Sequence, residues 1–290
     1  MGLQRRATPL LLVVTSIVSV QLGGALAATL VPVLGALPTV ALRLGLGAAV
    51  LLLGTRPQVR GHDRAGWLAV VAFGVALALM NSTFYACLAR LPIGVAVTIE
   101  FLGPLALAGA LSRRLVDALS VVAALVGVVL VSGAVTAPWA ELDHLGIGLA
   151  LAAGACWAAY ILCSRQVGRN FPAVDGLTLA MLVAATLVLP LGLAQADPAA
   201  LTPGRWGAAL GIALLSSVIP YSLELLALRD LDARVFGVLL SLEPAAAATA
   251  GLLVLGQRLD RLQISGMALV VAASVVVMSG RSAPEPGAPT

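Results

Sequence analysis

The stretch Pro9-Leu-Leu-Leu-Val-Val-Thr-Ser-Ile-Val-Ser-Val-Gln-Leu-Gly-Gly-Ala-Leu-Ala-Ala-Thr-Leu-Val31 holds no charged residue. A helix needs about 20 mainly apolar residues to cross a hydrocarbon layer roughly 30 Å thick, and this run is long enough. Arg5 and Arg6 precede it, as basic residues precede a secretory signal. Signal peptides, however, carry an apolar core of only about 7–15 residues, so the run is read as a membrane span. A barrel strand would be about half as long and would alternate apolar with polar side chains; no such alternation is present.

The same pattern recurs along the chain. Spans are expected at about 9–31, 34–54, 65–87, 92–112, 115–134, 145–164, 173–194, 205–228, 233–256 and 262–280. Helices are the expected form because each closes its own backbone hydrogen bonds in lipid. The fold class is therefore all-α integral membrane, with ten transmembrane helices. The tail 281–290, rich in Pro, Ala and Gly, is expected to be disordered.

Composition agrees. Of 290 residues, 60% are hydrophobic and 10% charged, against about 25% charged in soluble domains. The net charge of +4 comes from Arg residues scattered over span ends, which is no nucleic-acid footprint. Cys87, Cys156 and Cys163 show neither CxxC pairing nor metal-ligand spacing and read as small packing residues. No ATP-binding motif, metal site or cofactor motif is evident.

Arg counts orient the chain. With the N-terminus in the cytoplasm, twelve Arg fall inside, from Arg5 to Arg281, and four outside, at Arg90, Arg205, Arg258 and Arg261. Both termini are then cytoplasmic and the membrane is the inner (plasma) membrane.

The chain also looks duplicated. Leu88 to Ala110 aligns with Leu228 to Ala250 at a constant offset of 140, bringing Leu91 onto Leu231, Leu102 onto Leu242 and Pro104 onto Pro244. Two halves are expected, 9–135 and 145–280, joined near Thr136 to His144. Five spans per half force an inverted repeat, a common plan for secondary transporters with a site near the midplane.

Four ionisable residues fall within spans: Arg43, Glu100, Glu224 and Glu243. A charge at the bilayer centre costs on the order of 3 kcal/mol or more, so such residues face a bundle interior or an aqueous path. Glu100 and Glu243 each lie close to a proline, Pro104 and Pro244, where a helix kinks. A carboxylate there suits a substrate ammonium or a proton; the plainer alternative is an ion pair with Arg43 that only joins helices. Arg43 could bind a substrate carboxylate bidentately or neutralise one of the Glu residues.

Ser217, Tyr221 and Glu224 recur at i, i+4 and i+7 on one face of span 8, where Ser216, Pro220 and Ser222 predict a distortion. Asn81 and Tyr85 form a matching patch on span 3, and Asn81 corresponds to Tyr221 at the repeat offset. These polar faces serve either a substrate or interhelical hydrogen bonding. Gln21 in span 1 is a similar case.

The stretches Gly94-Val-Ala-Val-Thr-Ile-Glu-Phe-Leu-Gly-Pro-Leu105, Ser112-Arg-Arg114, Leu215-Ser-Ser-Val-Ile-Pro-Tyr-Ser-Leu-Glu224 and Ser241-Leu-Glu-Pro244 resemble the threonine and homoserine exporters of the Rht type. These belong to the drug/metabolite transporter superfamily, built from two EamA-type repeats. The resemblance covers nearly the whole chain. It implies two inverted five-helix repeats, alternating access, and export of small amino acids coupled to proton entry. It carries over Glu100 and Glu243 with their prolines and the span-8 motif from Ser216 to Glu224. One departure is Gly256-Gln257, where such repeats often have Gly-Glu.

The expected partners are a small amino acid, protons and the lipid bilayer, with no nucleic acid; one chain can enclose a site, so a monomer suffices. Efflux of drugs or purine-like metabolites is the alternative, although aromatic content is only 4%. A membrane-embedded enzyme is disfavoured because His62 and His144 lie in loops on opposite sides. A channel would want a repeated filter motif, which is absent.

Overall fold

The computed structural model describes residues 2–255 and 260–279. Among them the chain is helical and contains no strand. The first half comprises α1 (Gly2–Leu34), α2 (Ala36–Thr55), α3 (Arg64–Leu88), α4 (Ile93–Ala110) and α5 (Leu115–Val131). Two single 3₁₀ turns, Ala134–Thr136 and Trp139–Glu141, lead into α6 (His144–Asn170) and α7 (Asp175–Gln195). Then come α8 (Pro203–Ala213), a π-helical turn (Leu214–Val218), α9 (Ile219–Asp230), α10 (Ala233–Leu240), α11 (Leu242–Leu255) and α12 (Arg261–Ser279).

Seven described helical runs are long and apolar enough to cross a membrane, with α8, the π turn and α9 counted as one continuous run, Pro203–Asp230. Gly94–Ala110 and Leu115–Val131 are apolar but shorter. Large side chains such as Leu11, Leu53, Leu115 and Val275 face outward, as they would toward lipid rather than water.

Local chemistry sets the breaks. Gly35, at φ 88°, holds the left-handed turn between α1 and α2, which a side chain would strain. Asp63 caps α3 by accepting from the Gly66 N–H, and Asp143 caps α6 by accepting from Leu145 and Gly146. Pro203 opens α8 at its first turn, where a missing N–H costs nothing.

The continuous span expected over 233–256 is instead divided at Ser241. Pro244 has no N–H to offer the Leu240 carbonyl, and the Ser241 hydroxyl turns back onto the Val238 carbonyl. Gly256, Gln257, Gly280 and the tail 281–290 lie outside the described residues, so the Gly256-Gln257 departure and the disordered tail do too.

The helices interlock through a few close approaches. α3 packs on α6 and α7, α2 on α7, α4 on α6, α5 on α12, and α1 on α8 and α9. Where α4 crosses α6, a Cβ on Gly103 would lie 1.8 Å from the Gly154 carbonyl oxygen, so the two backbones touch. Phe73, Tyr160, Leu177, Leu225 and Phe236 fill the buried centre. At the ends, Arg165 pairs with Asp232 at 2.8 Å, Arg234 with Asp117, and Arg90 with Asp143 at 2.8 Å.

Candidate functional site

The residues that are expensive to hold in lipid come together. Arg43, Asn81, Tyr85, Glu100, Tyr221, Glu224 and Glu243 all line one cavity of about 200 Å³. Ser217 stands behind its wall, fully buried, and holds Arg43.

Arg43 projects from α2 into the π turn. Its Nε donates to the Ser217 Oγ at 2.7 Å, and its Nη2 donates to the Tyr221 hydroxyl at 2.9 Å and to the Ser216 carbonyl. The guanidinium also lies 5.8 Å from the Tyr221 ring centroid, within cation–π range. The expected distortion of span 8 is thus this π turn, and it gives Arg43 a carbonyl to bond. The ion pairs found among the described residues are at helix ends, and none links Arg43 to Glu100, Glu224 or Glu243.

The three carboxylates differ. Glu224 is held at both oxygens: Ser16 donates to Oε1 at 2.6 Å and Tyr160 to Oε2 at 2.7 Å. Each of its oxygens thus accepts one O–H donor. Glu100 and Glu243 face the cavity, and no described residue hydrogen-bonds or ion-pairs with either carboxylate. Gln21 reaches only the Glu243 backbone carbonyl, at 3.4 Å.

Asn81 donates to the Leu77 carbonyl at 2.8 Å and to the Tyr221 hydroxyl at 3.2 Å. Tyr85 packs edge-on against Phe84 and lines the cavity beside Arg43.

A second cavity of about 450 Å³ adjoins the first and shares Phe84, Glu100, Trp157 and Glu243 with it. It reaches Ser132, just past the end of α5, and Gln263, near the start of α12. It therefore runs toward the membrane face where those helix ends lie. Glu100 and Glu243 stand where the two spaces meet.

Sequence reasoning missed Ser16, Tyr160 and Trp157. Tyr160 and Trp157 occur one turn apart in a span otherwise built of small and aliphatic residues; two large rings with polar tips on one face were the available signal. Among the described residues no group of His, Cys, Asp or Glu could hold a metal ion.

A cation and two unpaired carboxylates around one small cavity can hold a zwitterion end to end. The profile of the EamA-like transporter family matches residues 144–279. The threonine/homoserine exporter RhtA of Salmonella typhimurium is 38% identical over 270 residues, covering 92% of this chain and 90% of the relative. RhtA of Escherichia coli K12 is similar to the same extent. A solved crystal structure with 20% identity superposes with a TM-score of 0.75 over 93% of this chain and 96% of that one, which fixes the fold.

Proposed function

The chain belongs to the EamA-like transporter family, and on that premise we propose that it exports small hydrophilic amino acids of the threonine and homoserine kind. It is a multi-pass membrane transporter rather than an enzyme, and its cargo is a small molecule. The observation that carries the cargo reading is that Arg43, Glu100 and Glu243 line one cavity of about 200 Å³. Arg43 takes the substrate carboxylate, backed by Ser216, Ser217, Tyr221 and Tyr85. Glu100 and Glu243 take the ammonium. A cation and two carboxylates lining one cavity match the two charged ends of an amino acid, which a neutral drug lacks.

The finer architecture belongs to the same proposal: ten spans in two inverted repeats, 9–135 and 145–280, with both termini in the cytoplasm and the protein in the inner membrane as a monomer. Asn81 and Tyr221, 140 residues apart, hydrogen-bond to each other. A residue that meets its own counterpart stands at a two-fold axis, and 140 is the offset of the two halves. The pairings of α2 with α7 and of α5 with α12 join counterpart helices in the same way. Such an axis near the midplane is where inverted-repeat transporters bind substrate.

Proton antiport supplies the energy, with the cavity carboxylates as carriers, and alternating access moves the cargo. The test is threonine efflux from cells loaded with a threonine-containing dipeptide. Expression is expected to accelerate efflux, Glu243→Gln to abolish the gain, and collapse of the pH gradient to slow it. Efflux unaffected by Glu100→Gln and Glu243→Gln would sink the site; efflux indifferent to the gradient would sink the coupling.

A further inference from the structure

Two adjacent glycines in α1 meet different surroundings. A Cβ on Gly23 would fall 2.1 Å from the Ser216 Oγ and 2.9 Å from the Ser216 backbone nitrogen. Gly23 is therefore where α1 lies against the π turn, and a side chain there would push the helix off it. A Cβ on Gly24 would meet no heavy atom within 4 Å. Packing does not require glycine at position 24.

Backbone conformation does not require it either. Gly24 sits inside a regular helix, and among the described residues the positive-φ glycines are Gly35, Gly61 and Gly133. Helix propensity argues against glycine there, since an interior Gly is among the poorest helix formers. What Gly24 does have is a place on the wall of the 200 Å³ cavity, with Arg43, Glu100, Glu224 and Glu243 around the same space. Of the two glycines that line the described cavities, Gly94 is pressed against the Ser132 carbonyl, whereas Gly24 is exposed and borders the 200 Å³ cavity on its open side.

We propose that Gly24 determines cargo bulk: the side chain it lacks is the room the substrate side chain occupies. This rests on the reading of the cavity as the substrate site. A side chain added at position 24 borders the space of about 200 Å³, and valine, with three carbons to alanine's one, intrudes further on it. The effect falls on the largest cargo first, because Arg43 and the carboxylates that grip the common amino-acid backbone are untouched.

The experiment is counterflow of labelled threonine in proteoliposomes, competed by unlabelled glycine, serine, threonine, valine and leucine. Wild type, Gly24→Ala and Gly24→Val are compared, with Gly23→Ala and Glu243→Gln as controls. The expected result is that leucine, valine and threonine lose potency at least tenfold relative to glycine and serine in the Gly24 variants, more in Val than in Ala. Thermal midpoints of the Gly24 variants stay at or above the wild-type value, rising with the gain in helix propensity, whereas Gly23→Ala loses stability. A shift common to every competitor, or none, overturns the size role while leaving the site standing. Undiminished counterflow in Glu243→Gln overturns the site itself.

Discussion

Alanine at Gly103 and at Gly109 should have opposite effects, although both residues lie on α4. A Cβ at Gly103 would lie 1.8 Å from the Gly154 carbonyl oxygen and 2.3 Å from its carbon, both backbone atoms that cannot rotate away. Real Cβ contacts essentially never fall below 3.0 Å, so α4 and α6 must part by at least 1.2 Å. Overpacking of this kind costs typically ~1–3 kcal/mol, and the immobile neighbour puts it at the upper end. The gain in helix propensity offsets only about 1 kcal/mol, which leaves Gly103→Ala destabilised by ~2 kcal/mol. At Gly109 the nearest atom is Val121 Cγ1 at 3.7 Å, an ordinary contact, so the propensity gain of about 1 kcal/mol stands. The variants should then differ by ~3 kcal/mol, roughly 6–12 °C at 2–4 °C per kcal/mol. Thermal unfolding in detergent, followed by size-exclusion fluorescence, reads the difference. Threonine efflux reads its consequence, because Glu100 stands one turn before Gly103 and moves with it. A Gly103→Ala protein that melts at or above the wild-type temperature would refute the α4–α6 backbone contact.

Three further outcomes follow from the site and the loops. Arg43→Lys keeps the charge but cannot reproduce the fork that bonds Ser216, Ser217 and Tyr221, so efflux should fall at least about tenfold, while the protein still reaches the membrane. Tyr160→Phe removes one of the two donors to Glu224 and should cost about 1–3 kcal/mol in thermal stability, with Ser16→Ala acting in the same direction. At the exposed end of α6, the hydrogen bond from Arg90, with help from the Gly146 and Leu145 N–H groups, holds the Asp143 carboxyl below the usual carboxylate range. A depressed folded value means that the stabilisation is present above the ordinary value of about 3.9 and is lost as pH falls through the lower one. The difference in melting temperature between wild type and Asp143→Ala should therefore persist at pH 5 and shrink only in stronger acid; disappearance already at pH 5 would contradict this.

The helices were legible to within a few residues where the apolar run ended on a charge or a cap. The expected 65–87 is Arg64–Leu88 and 173–194 is Asp175–Gln195. The kink expected at Pro244 divides the span at Ser241, ahead of the proline, because Pro244 acts on a carbonyl four residues back. In the site, Arg43, Glu100, Glu224 and Glu243 stood out because a charge in lipid is costly and must be used. Ser16 and Trp157 carry no such penalty, and hydroxyl or aromatic residues in a span reveal their role only once the neighbouring helix is in place. The partner of Arg43 was open for the same reason: whether it faced a carboxylate or the Ser216 carbonyl depended on how α2 meets the π turn.

That turn has a consequence for the history of the two halves. Counted from the helix starts, Pro203 stands 139 residues after Arg64. Counted beyond the turn, Tyr221 stands 140 after Asn81. One surplus residue is what a π turn inserts into an α-helix, and its counterpart α3 runs from Arg64 to Leu88 without one. On the two-repeat reading, a single inserted codon is enough to end the equivalence of the halves. The wide turn absorbs that residue, so Tyr221 still meets Asn81, while the turn itself leaves the Ser216 carbonyl for Arg43. Deleting one residue between Leu214 and Val218 would close the wide turn and withdraw the Ser216 carbonyl from Arg43, a lesion that no substitution at those five positions could imitate.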